Sequence, residues 1–249
     1  MRPEHVEIRE KLKKKLKPSR YEHTLGVCYT SVALAMRWGC DLEKAELAGL
    51  LHDCAKRWTN EETIEQCEKR GIALTEGELA APAVIHAKLG AFLAEQKYGV
   101  SDPEILSAIA VHTTGKPDMS LLDKIVYVSD YIEPGRSGME GLEEYRKLAF
   151  IDLDETFFRI CEGILRYLEK KGSVIDPASR ETYEYYLKRR NNNSSLQSQL
   201  SETDDIMKEQ SGTAETAGPA ECSEKPQTYR GKGAKRGRWQ KKTPGRRNS

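Results

Sequence analysis

Leu50-Leu51-His52-Asp53-Cys54-Ala55-Lys56 closes an apolar helical run that begins at Leu42. Neighbouring side chains on a helix point about 100° apart, so the adjacent His and Asp cannot form an ordinary i,i+4 pair. At a helix end, however, both can reach one point just beyond the last turn. A neutral imidazole and a carboxylate meeting there suit a divalent first-row metal. Taken alone, the dipeptide has a plainer reading as a cap or a surface pair. The placing of the other histidines decides between the two.

Outward from that stretch the pattern repeats. Upstream, Arg20 to Trp38 carries His23, Val27, Thr30, Leu34 and Trp38 on one helical face, which turns His23 toward the core. Gly39 ends that helix and Asp41 caps the next. Residues 3–17 form a charged amphipathic helix anchored by Val6, Ile8, Leu12 and Leu16. Downstream, Thr59-Asn60-Glu61-Glu62 signals a helix start, with the helix ending near Gly71. Residues 72–81 read as a loop. Pro82 then opens a helix to Tyr98 with His86 in its first turn. Asp102-Pro103-Glu104 starts a helix that ends at His112, and Leu121 to Tyr131 carries Asp130. A long helix follows from Asp152 to Lys171, then an extended Ser173–Asp176 and a last helix from Pro177 to about Arg190. No segment alternates with period two between turn signals, so the body is expected to be all-α, a helical bundle presenting ligands to a shared cavity.

Charge divides the chain. Residues 1–190 hold 29 basic and 32 acidic side chains, residues 191–224 hold 1 and 7, and residues 225–249 hold 10 and 0. From Asn191 the composition turns to Asn, Ser, Gln, Thr, Glu and Gly, too polar to offset the entropy of ordering, so a disordered tail is expected over 191–249 beside a folded domain over 1–190. The cations of 225–249, interleaved with Tyr229 and Trp239, suit weak, sequence-blind RNA binding. The six cysteines show no CxxC pair. Without a signal peptide or a long apolar run they imply reduced thiols in a cytoplasmic protein, with no membrane partner.

Of the five histidines, His5 sits in the charged start and reads as incidental. The remaining series is His23, His52-Asp53, His86, His112, Asp130. Each His singly could be a satisfied helix-end residue; four of five at helix termini point to a site. No zinc-finger spacing exists, and mixed imidazole and carboxylate donors favour iron or manganese over structural zinc.

The order H…HD…D resembles the HD-domain metal-dependent phosphohydrolases. Arg20-Tyr21-Glu22-His23-Thr24, Leu51 to Lys56, Ile85-His86-Ala87, Val111-His112-Thr113-Thr114-Gly115 and Ser129-Asp130-Tyr131-Ile132-Glu133-Pro134-Gly135-Arg136 are similar to the YqeK family. Its members are bacterial symmetrical diadenosine tetraphosphate hydrolases. The resemblance covers roughly residues 4–190 and is silent on the tail. It implies one iron held by His23, His52, Asp53 and Asp130, the same four that the helix ends bring forward. His86 and His112 are then phosphate-facing, the reading preferred here, or ligands of a second ion. The resemblance also places Val174, Ile175, Asp176 and Pro177 on the nucleoside side.

Cleaving a phosphoanhydride builds charge on phosphoryl oxygens, so the site needs a metal, cations and placed donors. Asp53 is the expected ligand and proton acceptor. Arg20, three residues before His23, Arg136, after a Pro-Gly turn, and Lys56 are candidate phosphate clamps. His112 and Thr113 offer an imidazole and a hydroxyl to the same phosphates. The expected activity is symmetrical hydrolysis of a dinucleoside tetraphosphate to two ADP, by a chain that also forms a homodimer. Two other classes stay open: a different HD phosphohydrolase, such as a nucleoside monophosphate phosphatase, and a non-enzymatic, RNA-associated module.

Overall fold

The computed structural model describes residues 3–192. Among the described residues the structure is helical with no strand, as the missing period-two alternation predicts. The helices are α1 (Pro3–Lys15), α2 (Pro18–Trp38), α3 (Leu42–Leu51), α4 (Asn60–Glu68), α5 (Glu76–Ala80), α6 (Ile85–Tyr98), α7 (Pro103–Val111), α8 (Leu121–Ile132), α9 (Leu142–Leu148) and α10 (Leu153–Lys170). A final helix, α11, spans 177–192. The disorder and RNA binding expected of the tail lie outside the described residues.

The boundaries follow local chemistry. Gly39 ends α2 in the left-handed region at φ 73°, and Asp41 then accepts the first free N–H groups of α3 from Glu43 and Lys44. Ser120 and Asp123 form a reciprocal capping box that starts α8, as Thr59 and Glu62 do for α4. Three short elements depart from the sequence reading. Within the loop expected over 72–81, Thr75 and Glu78 build a capping box for α5. Pro82 opens a 3₁₀ turn, Pro82–Val84, rather than the α-helix itself, which begins at Ile85. Nothing in the periodicity announced α9.

α2 lies along α3 and α8, and α7 packs against α3, α6 and α8. Leu34, Leu50, Leu51, Ile109 and Ile125 are fully buried where these helices meet. Phe157 of α10 is fully buried between the rings of Tyr127 and Tyr186, each 4.9 Å away and edge-on, which ties α8, α10 and α11 together. At the other end, Ile8, Leu12 and Leu16 are buried, while Val6 is 47% exposed and anchors nothing. His5, read as incidental, is buried with Nδ1 2.5 Å from Glu46 Oε2 and fastens α1 to α3. The five cysteines among the described residues are free thiols.

Candidate metal centre

The bundle delivers its polar residues to one point. His23 lies in the second turn of α2, His52 follows the last residue of α3, and Asp53 begins the turn beyond it. His86 is the second residue of α6, His112 follows the end of α7, and Asp130 lies in the last turn of α8. His52, Asp53, His86 and His112 are all buried.

His23 Nε2 stands 3.0 Å from Asp130 Oδ1 and 3.7 Å from Asp53 Oδ2. His52 Nε2 is 3.4 Å from Asp53 Oδ2 and 3.8 Å from Asp130 Oδ1. The two imidazoles approach each other, Nε2 to Nε2, at 3.4 Å. On the opposite oxygen of Asp53, Oδ1, lie His86 Nε2 at 3.1 Å and His112 Nε2 at 3.7 Å. His23, His52 and Asp130 form one compact donor triad, and His52, Asp53 and His112 another.

The far sides of the rings determine which nitrogens face the centre. His52 Nδ1 is 2.7 Å from Gly49 O, and His112 Nδ1 is 2.7 Å from Ile109 O, the carbonyl three residues back in each case. His23 Nδ1 faces Glu133 Oε1 at 3.0 Å. A carbonyl or carboxylate accepts, so these three imidazoles carry a proton on Nδ1, which leaves Nε2 of each as the atom that faces the centre and takes either a second proton or a cation. The two Nε2 atoms of His23 and His52 stand too close to face each other bare, so a proton or a cation lies between them and the carboxylates. Imidazoles backed by carbonyls and carboxylates, beside two aspartates, are the donor set that a borderline divalent metal takes. His86 differs, because its Nδ1 has both Ala83 O at 2.7 Å and Lys56 Nζ at 2.9 Å.

Burial pushes the Asp53 carboxyl up, but with protons on the inward nitrogens in place of a cation, the charge of His52 and the hydrogen bonds of His112, His52 and His86 outweigh burial and hold it well below the usual range. Asp130 behaves alike: burial raises it, while His23, His52 and Arg136 together hold it far down. For His86 burial dominates and lowers it to about 4, despite Asp53. Both aspartates are therefore anions at neutral pH.

Two expected clamps lie elsewhere than on open solvent. Arg20 Nη1 donates to Asp53 Oδ2 at 2.7 Å, and Arg136 Nη2 donates to Asp130 Oδ1 at 2.7 Å. Each guanidinium is about a third exposed and keeps a donor beyond these bonds. Lys56 Nζ stays beside His86 and Ala83 O. Thr113, Asp176 and Pro177 line a cavity of about 490 Å³, together with Gly77, Val84 and Lys88. Thr113 Oγ1 and Asp176 Oδ2 are buried without a hydrogen-bond partner. Val174 is 60% exposed, and neither it nor Ile175 is among the residues lining that cavity. Sequence reasoning missed Glu133, 3% exposed, and Arg146, which donates to the carbonyls of Ile132, Glu133 and Arg136. The only signal for Glu133 was its place three residues after Asp130, ahead of a Pro-Gly turn.

The HD domain family matches residues 20–135, which contain all of these candidate ligands. The symmetrical bis(5'-nucleosyl)-tetraphosphatase of Bacillus subtilis (strain 168) is 40% identical over 176 residues, 70% of this chain and 92% of that protein. This chain belongs to the HD-domain symmetrical bis(5'-nucleosyl)-tetraphosphatase family. A second tetraphosphatase, from Halalkalibacterium halodurans, is 39% identical over 71% of this chain and 93% of its own length. A crystal structure from Clostridium acetobutylicum, described as a "predicted HD superfamily hydrolase involved in NAD metabolism", superposes with a TM-score of 0.71 at 38% identity. That match covers 74% of this tetraphosphatase-family chain and 97% of the Clostridium one. Among the described residues no helix is long and apolar enough to cross a membrane.

Proposed function

We propose that this chain hydrolyses diadenosine tetraphosphate symmetrically, to two ADP, at a centre that holds one iron through His23, His52, Asp53 and Asp130. The observation that carries the reading is the approach of His23 Nε2 and His52 Nε2 to 3.4 Å, flanked by two carboxylates. A cation bound there supplies Lewis-acid chemistry, drawing charge from a phosphoryl oxygen and making water acidic near neutral pH. Manganese is the alternative ion for this donor set.

The remaining roles belong to the side chains. Asp53, ionised and buried, accepts the proton that water gives up as it attacks phosphorus. Arg20 and Arg136 are anchored through one edge of the guanidinium to Asp53 and Asp130, which aims the other donors at phosphate oxygens. Lys56, His86 and His112 face the same phosphates from the opposite oxygen of Asp53. The cavity beside Thr113 takes one nucleoside: its volume falls in the range of small-molecule sites, and its wall mixes apolar Val84 and Pro177 with polar groups. In this reading Asp176 and Pro177 contact the nucleoside from the cavity wall, and Val174 and Ile175 lie in the extended segment just before them.

Metal analysis and product chromatography on one preparation test the proposal. Iron with ADP as the main product supports it. ATP plus AMP would overturn the substrate geometry, and release of nucleoside and phosphate from monophosphates would move the chain to the other HD reading.

A further inference from the structure

We infer that Glu133 sets the metal-binding tautomer of His23, and that Gly26 is bare so that Glu133 can reach it. The inference rests on the reading that His23 holds a metal.

His52 and His112 stand at helix ends, where the last carbonyls have no N–H partner within the helix and can take an Nδ1 proton. His23 has no such resource. It lies inside α2, where carbonyls are engaged by the helix, and Arg20 O, three residues back, also accepts from Thr24 Oγ1 at 2.9 Å. An acceptor must come from another element, and α8 supplies it. That helix stops at Ile132; Glu133 leaves helical geometry at φ −50°, ψ 150° and its side chain reaches α2. Oε1 stands 3.0 Å from His23 Nδ1, and Oε2 accepts the Gly135 N–H at 2.5 Å.

Two features hold the carboxylate there. Gly26 lies one turn after His23 on the same face of α2, and a Cβ on it would fall 2.4 Å from Glu133 Oε2. Arg146, from α9, ties the carbonyls on both sides of Glu133, at 2.9 Å to Ile132 O and 3.0 Å to Arg136 O. A carboxylate has only acceptors, so Glu133 holds a proton on His23 Nδ1; Asp130 Oδ1, 3.0 Å from Nε2, asks for a proton on the other nitrogen, and a cation in the centre takes that proton's place at Nε2. An amide in the same place must aim its NH₂ either at the Gly135 N–H or at His23. Facing His23, it would leave Nδ1 bare and protonate Nε2, which removes the ligand atom.

The full chain, labelled with ¹⁵N-histidine and stripped of metal, reads this directly. Long-range ¹H–¹⁵N spectra near pH 8, where an ordinary imidazole is neutral, report the tautomer. The parent protein is expected to show His23 as Nδ1–H. Glu133→Gln is expected to move it toward Nε2–H and to weaken Mn²⁺ binding, by calorimetric titration, about 10- to 100-fold. Gly26→Ala, which displaces the carboxylate without altering it, is expected to weaken binding in the same direction, and it carries the test if Glu133→Gln does not fold. An unchanged tautomer and unchanged affinity in the folded variants would overturn the inference. A parent protein that shows Nδ1–H but binds no Mn²⁺ or iron would instead overturn the proposed metal function.

Discussion

Arg136 Nη2 lies 2.7 Å from Asp130 Oδ1, the same oxygen that lies 3.0 Å from His23 Nε2. Arg136 also donates through Nε to Asp130 O at 3.0 Å, so it fixes both the backbone and the carboxylate of a proposed ligand. From sequence alone it reads only as a phosphate clamp. Arg136→Ala is therefore expected to raise KM for diadenosine tetraphosphate and also to weaken metal binding about tenfold. Calorimetric titration with Mn²⁺ checks the second effect; unaltered affinity would return Arg136 to phosphate alone.

One ion per chain is expected, and Asp53→Ala should lose both the ion and turnover. His112→Ala should keep the ion and lose activity. Elemental analysis distinguishes the schemes: two ions per chain, one of them lost in His112→Ala, would make His86 and His112 ligands of a second metal.

Phe157 fills the space between Tyr127 and Tyr186 with no exposed surface. Phe157→Ala is expected to cost about 3–5 kcal/mol of stability in denaturant unfolding. Metal stoichiometry should be unchanged, since the ring is remote in chemistry from the donor set.

Lys88 Nζ donates to both oxygens of Glu78 at 2.9 Å, on the wall of the proposed nucleoside cavity. Burial pushes Glu78 up, while Lys88 and the Thr75 N–H more than offset it, so the carboxyl sits below its ordinary value. A folded state that binds the proton more weakly than the unfolded chain gains stability above the ordinary carboxylate range and loses it as pH falls through the lowered value. Lys88→Met is expected to destabilise near neutral pH by less than about 1 kcal/mol, because the pair is partly exposed. The gap between variant and parent should close below about pH 4, as thermal unfolding across pH would show.

Removing residues 193–249 is expected to leave hydrolysis intact. If the basic segment binds RNA, gel-shift affinity should vanish in the truncated chain and fall with salt in the full one.

Much of this was readable because the informative residues sit at helix punctuation. Pro18, Asp41, Asp102-Pro103 and Ser120 mark starts, Gly39 marks a stop, and His52, Asp53, His86 and His112 fall at helix ends; His23, expected at a terminus, stands instead in the second turn of α2. α5 and α9 escaped because five- and seven-residue helices have too few turns to show a period. What each charged group faces was also hidden. His5 meets Glu46, 41 residues away, Arg20 meets Asp53 across 33, and Glu133 meets His23 across 110. Such pairings are set by how helices stack, and residue spacing carries no record of them. The helix-end histidines were legible; the carboxylate that serves the one mid-helix histidine was not.

In the proposed centre, the hydrogen bond from His52 Nδ1 to Gly49 O would make the last turn of α3 part of the coordination chemistry. Unwinding that turn by a single residue would free the carbonyl, release the ring and discharge the ion in one event. Amide hydrogen exchange around residues 50–55 should therefore slow sharply on metal loading, and the occupancy of the centre becomes a gauge of how often one end of one helix opens.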